Sequence, residues 1–132
     1  MQESEEFKSI SKPRNIQCCG EVSKEEVIKH MLSADLLLFP TYTEGFPNVI
    51  LEAMVSGLPI ISTPVGAIPE IIEDKGGKII EVGNIEGFIK AIEELQEPEV
   101  RMEISNWSRE KVKKTYALEL VMKQIFMEYI GL

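Results

Sequence analysis

Short apolar runs that alternate with amphipathic stretches of about ten residues predict an α/β fold for this chain. The expected architecture is a Rossmann-like parallel sheet of about four strands with helices on both faces. Two details sharpen it. The run Leu36 to Phe39 is apolar throughout and closed by Pro40, as a buried strand is. Glycine-containing loops leave the strands at Gly20, Gly45 and Gly66, and in a parallel sheet a ligand sits outside the carboxyl ends of the strands.

Taken in order, residues 1–14 are polar and charged and read as a flexible leader, and residues 15–132 as a single domain ending in two packing helices. Asn15 to Cys19 reads as the first strand, with Gly20-Glu21-Val22 as the turn leaving it. Ser23 is expected to cap a helix, with Glu26 completing a capping box and Val27, Ile28, Met31 and Leu32 forming its buried stripe. Leu36–Phe39 is the second strand, Pro59–Ser62 the third and Lys78–Val82 the fourth. The loop Thr63 to Ala67 leads to a short helix containing Pro69 to Ile72. Asn84 caps a further helix with Phe88, Ile89, Ile92 and Leu95 on its inner face. After Pro98 the pattern is helical, ending in a stripe of Leu118, Val121, Met122, Ile125, Phe126 and Tyr129.

Between the second and third strands lies Glu44-Gly45-Phe46-Pro47-Asn48-Val49-Ile50-Leu51-Glu52-Ala53-Met54, a loop that becomes a helix. Pro47 suits the first helical position, where its missing N–H costs nothing, and Gly57 before Pro59 ends the helix. The first N–H groups, those of Asn48, Val49 and Ile50, then point out of the helix mouth with the positive end of the dipole, which favours an anion. Glu44 stands before this mouth, and Glu52, one turn past Asn48, leans back toward it. Acidic neighbours do not suit a bare phosphate. They suit a hydroxyl-rich molecule that also carries phosphate, because carboxylates accept bonds from hydroxyls while amides take the phosphates. A sugar nucleotide has this chemistry.

The segment EGFPNVILEAMVSGLPIIST resembles the signature of the retaining glycosyltransferase family 4, which has the GT-B fold. The hallmark is a pair of glutamates with seven residues between them, here Glu44 and Glu52. ADLLLFPTYTEGF before it and SGLPIISTPVGAIPEII after it also match, so that the resemblance is most specific over residues 34–72. It implies that this is the later part of the C-terminal, donor-binding domain. By resemblance, Glu44 contacts hydroxyls of the transferred sugar and Glu52 holds the ribose. Backbone groups of Gly45, Phe46, Pro47, Asn48, Val49 and Ile50 serve the sugar and diphosphate. Gly20, Val22 and Ser23 lie along the base, and Gly66 belongs to the loop over the phosphates. The donor expected is a UDP-, GDP- or ADP-sugar, transferred as a hexose with retention, with no cofactor and no essential metal.

The resemblance also marks departures. The family's diphosphate-gripping Arg and Lys and its first Rossmann-like domain have no counterpart in the chain, and Ala67 stands where a second glycine is usual. A weak catalyst is therefore expected of the chain alone, completed by a separate polypeptide or self-associated through the edge of Leu36–Phe39. Two other readings stay open: a non-catalytic nucleotide- or sugar-binding module, and a GT-B sugar-nucleotide epimerase.

Composition excludes several classes. The formal net charge is −8 over 132 residues, which argues against nucleic acid as a partner, since that affinity is largely phosphate neutralisation. No run approaches the roughly 20 apolar residues of a membrane span. Cys18 and Cys19 are adjacent and the only cysteines, which excludes a disulfide framework and suggests a reducing cytoplasm, with both as small core residues. His30 is expected on a helix surface.

Overall fold

A computed structural model describes residues 15–45 and 47–115; Phe46, the leader and the stripe from Leu118 to Tyr129 lie outside the described residues. The elements are α1 (Lys24–Ser33), β1 (Leu37–Phe39), α2 (Asn48–Val55), β2 (Ile60–Ser62), α3 (Ile68–Ile72), β3 (Gly77–Ile79), α4 (Ile85–Glu94) and α5 (Pro98–Thr115). The sheet is parallel, in the order β1-β2-β3, with Leu37 opposite Ile60 and Ile60 opposite Gly77.

Alternation along the strands divides the core into two layers. Ile60, Leu37, Phe39 and Ile79 pack on one face with α1, α2, α3 and Val112 of α5. Ile61, Leu36 and Ile80 pack on the other with Phe88, Ala91, Ile92 and Leu95 of the α4 region and Ile104 of α5. Both faces are thus covered by helices, and β2, buried at all three positions, is the centre of the fold. This is why the strand segments read as continuous apolar runs.

Local chemistry sets the helix ends. The Ser23 hydroxyl accepts from the Glu26 N–H at 3.2 Å, and the Asn84 side chain accepts from the Gly87 N–H at 2.9 Å. At the end of α2, Leu58 N–H donates to the Ala53 carbonyl and Gly57 N–H to the Met54 carbonyl, with Gly57 at φ 74°. This pair of bonds is a Schellman motif, which needs a residue in the left-handed region. Arg109 of α5 adds a bond to the Ser56 carbonyl at 3.2 Å, placing a cation at the negative end of the α2 dipole.

Several expectations are corrected. Asn15–Cys19 is not a strand, and Cys18 and Cys19 are exposed instead of buried in the core. A strand is held by a neighbour's ladder, and among the described residues none pairs with this segment. The sheet accordingly has three strands there. The fourth expected strand stops at Ile79, and Val82 lies exposed in the turn that follows. Leu32 and Ile89 sit on apolar stripes but are about half exposed, at 47% and 52%. Helical period places both on the apolar side, but exposure at this level means that the described residues cover each of them only in part.

Candidate functional site

Helix α2 is buried on almost every side: Ile50, Leu51, Ala53, Met54 and Val55 are all core residues. Burying four large apolar side chains stabilises the fold by roughly 1.5–3 kcal/mol each. That exceeds the several kcal/mol that an ion loses on leaving water, so the helix can carry Glu52 into the interior at 8% exposure. Nothing in the packing requires a carboxylate there. Its ion-pair partner among the described residues is Lys24, the first residue of α1, whose Nζ lies 3.3 Å from Oε1.

The carboxyl ends of β1 and β2 are laced together beside this helix. The Ser62 hydroxyl donates to the Phe39 carbonyl at 3.0 Å, and the Thr63 hydroxyl to the Thr41 carbonyl at 2.6 Å. The Thr41 hydroxyl in turn donates to Glu44 Oε1 at 3.1 Å, orienting that half-buried carboxylate. Further out, Ala67 N–H donates to the Gly45 carbonyl at 3.1 Å. Gly66, at φ 58°, lies so close to the Glu44 carbonyl that a Cβ would collide with it.

The structure thus brings the Glu44–Gly45 and Gly66–Ala67 loops into backbone contact, with Glu52 at the adjacent helix. The Gly20–Ser23 turn is linked to them through the next residue, Lys24. Gly20 takes a left-handed φ of 66°, Val22 is half-buried, and the Ser23 hydroxyl is engaged as the α1 cap. Two details of the mouth differ from expectation. Pro47 is the N-cap and Asn48 the first helical residue. Ile50 N–H donates to the Pro47 carbonyl at 3.1 Å, a tightened first turn, so that at most Asn48 and Val49 offer helix-mouth amides to a ligand. Lys24 and Thr41 were not anticipated from the sequence. For Lys24 a signal existed, since a cation in the first turn opposes the helix dipole.

A cavity of about 350 Å³ lined by Asp74, Lys75, Gly77, Lys78 and Trp107, among others, opens at the amino end of β3. It lies at the opposite edge of the sheet from the loops, and ligands of open parallel sheets gather at the carboxyl edge. Among the described residues, no helix is long and apolar enough to cross a membrane, and no three His, Cys, Asp or Glu side chains are grouped to hold a metal ion.

A parallel sheet covered by helices on both faces, with loops converging at its carboxyl edge beside a helix mouth flanked by two carboxylates, defines a Rossmann-like α/β domain. The chain belongs to the family described as glycosyl transferases group 1, whose profile matches residues 2–97. It is similar to the N-acetyl-alpha-D-glucosaminyl L-malate synthase of Bacillus anthracis, 34% identical over 106 residues that make up 78% of this chain and 28% of that protein. It is also similar to the capsular polysaccharide biosynthesis glycosyltransferase CapM of Staphylococcus aureus, 31% identical over 97 residues, 72% of this chain and 26% of the relative. Its fold is that of part of a sucrose-phosphate synthase from Thermosynechococcus elongatus, with a TM-score of 0.70 at 24% identity over 85% of this chain and 29% of that one. The parallel α/β architecture therefore matches part of a GT-B domain. The chain spans less than a third of the length of each of these relatives.

Proposed function

We propose that this chain binds the donor of a glycosyl transfer, a nucleoside diphosphate sugar, and supplies the donor-binding part of a retaining hexosyltransferase of glycan biosynthesis. The observation that carries the reading is a buried carboxylate, Glu52, on a helix whose mouth adjoins a second oriented carboxylate, Glu44. In this reading Glu52 accepts bonds from the ribose hydroxyls and Glu44 from the hydroxyls of the sugar. The backbone of Gly45 to Ile50, chiefly the Asn48 and Val49 amides, faces the diphosphate, and Gly66 closes the loop above it. Gly20, Val22 and Ser23 line the base. During transfer the bond from the anomeric carbon to the phosphate oxygen breaks, the acceptor oxygen bonds on the same face of the ring, and the acceptor's proton passes to the departing diphosphate. Preorganised N–H groups stabilise the charge that develops on the departing diphosphate.

The cytoplasm, where a reducing medium suits two exposed free thiols, is the expected location. A calorimetric screen of UDP-, GDP- and ADP-sugars tests the function. One series is expected to bind, and binding in excess EDTA should equal binding in Mg2+, because groups of the chain and not a metal ion face the diphosphate. Failure of all three series would end the donor reading, and a strict need for a divalent ion would show its binding mode to be wrong.

The proposed partner is a second polypeptide, a separate chain or another copy of this one, seated on the outer edge of β1. Among the described residues β1 is an edge strand, with Leu38 46% exposed, and unpaired strand edges recruit other chains. Sedimentation of the purified chain should show self-association, or a complex when the product of a neighbouring gene is added. A stable monomer under both conditions would count against it.

A further inference from the structure

Lys24 is poorly placed for the helix it begins. Glu25 and Glu26 in the same turn suit the positive end of the α1 dipole, whereas an ammonium there is disfavoured. What accounts for Lys24 is Glu52, a buried carboxylate whose counter-charge among the described residues is Lys24. The contact is a loose one. At 3.3 Å it is longer than a tight ammonium–carboxylate bond, and the Lys24 side chain is 47% exposed on a flexible four-carbon stem.

We propose that Lys24 is a mobile counter-ion of the donor site, which pairs with Glu52 in the structure and moves to the diphosphate when ribose hydroxyls take over Glu52. The proposal rests on the donor reading above. A vicinal diol uses both oxygens of a carboxylate, so it competes directly with the ammonium on Oε1. Once displaced, the ammonium needs another anion. The α2 mouth lies one helical turn from Glu52, about 5.4 Å of rise, and the Glu52 side chain already leans that way. Several other described cations are committed elsewhere: Arg109 to the far end of α2, Lys111 to Glu70 and Glu73, Lys78 to Glu94, and Arg101 to the carbonyls after α4. Lys24 is therefore a positioning residue for Glu52 and a direct binding residue for the diphosphate.

The two roles are separable by ligand. UDP, GDP and ADP and their nucleosides, uridine, guanosine and adenosine, are titrated against the wild-type chain, Lys24→Gln and Lys24→Arg, with melting curves to verify folding. For the nucleotide that binds, Lys24→Gln is expected to lower the diphosphate-over-nucleoside preference about tenfold, the scale of one charge-assisted contact. Lys24→Arg, which keeps the charge, should retain most of that preference even if the glutamine variant is less stable. If Lys24→Gln weakens nucleoside and diphosphate equally, or leaves diphosphate binding unchanged or tighter, the counter-ion role is overturned while the donor site stands. If the wild-type chain binds none of the six ligands, the donor reading and this proposal fall together.

Discussion

Replacing Gly66 by alanine is expected to destabilise the chain by about 2–5 kcal/mol and to abolish donor binding. Two effects add. Gly66 has φ 58°, and an L-residue held in that region costs roughly 1–2 kcal/mol. The new Cβ would also collide with the Glu44 carbonyl and crowd that of Gly45, both backbone groups that cannot rotate away. Relieving such a collision costs typically 1–3 kcal/mol. The shift needed is a separation of the two loops, which strains the Ala67 N–H bond to the Gly45 carbonyl and moves the backbone carrying Glu44. Against a total stability of about 5–15 kcal/mol, the melting point should fall by on the order of ten degrees or more. Gly45→Ala is the matched control. A Cβ there meets nothing within 4 Å, and the residue is not in the left-handed region, so its stability should remain near wild type. Equal melting points for the two variants would show that the loops are not packed as described.

Much of the fold is legible because its determinants are local. Ser23 and Asn84 announce their helices through side chains three residues from the amides they bind. Gly57 announces the end of α2 because only a left-handed residue completes that motif. The neighbour relations of Leu36–Phe39, Pro59–Ser62 and the segment from Lys78 follow from parallel topology, and they are found in that order.

Illegible features depend on partners distant in sequence. Asn15–Cys19 has the composition of a strand, but strand identity is conferred by a neighbouring ladder. The stripes carrying Leu32 and Ile89 have the correct period, yet period says nothing about how much of each stripe the described residues cover. In the candidate site, the glutamate pair was legible through its spacing and its flanks. The Lys24–Glu52 pair joins the start of α1 to the middle of α2, the helices before and after β1 in the chain, and no periodicity within either helix encodes it. The Thr41 bond to Glu44 depends on how the β1 carboxyl end turns, which is set by Thr63 across the sheet.

Glu52→Ala should weaken binding of the nucleoside diphosphate about ten- to hundredfold, whereas Glu44→Ala should leave the nucleotide alone and remove the extra affinity contributed by the sugar. Hydrogen bonds to a charged acceptor contribute roughly 1.5–3 kcal/mol, and each 1.4 kcal/mol is a factor of ten in Kd. The contrast follows from position. Glu52 sits within α2, beside the turn that carries Lys24, on the nucleotide side in the proposed pose. Glu44 lies ahead of the helix mouth, held by Thr41 and next to the Gly66 loop, where the transferred sugar would be. Neither loss should be confused with misfolding. Glu52→Ala removes a desolvated charge and releases a half-exposed lysine to water, two changes that offset the lost packing of the stem, so stability should stay within about 1 kcal/mol. Glu44 is half-buried in a loop, and its truncation leaves the Thr41 hydroxyl its contact with the Thr43 carbonyl. Calorimetric titration of a nucleoside diphosphate and its sugar conjugate against both variants separates the roles. Wild-type affinity for both ligands in both variants would remove Glu44 and Glu52 from the site, and equal losses for both ligands in the Glu44 variant would reverse its assignment to the sugar.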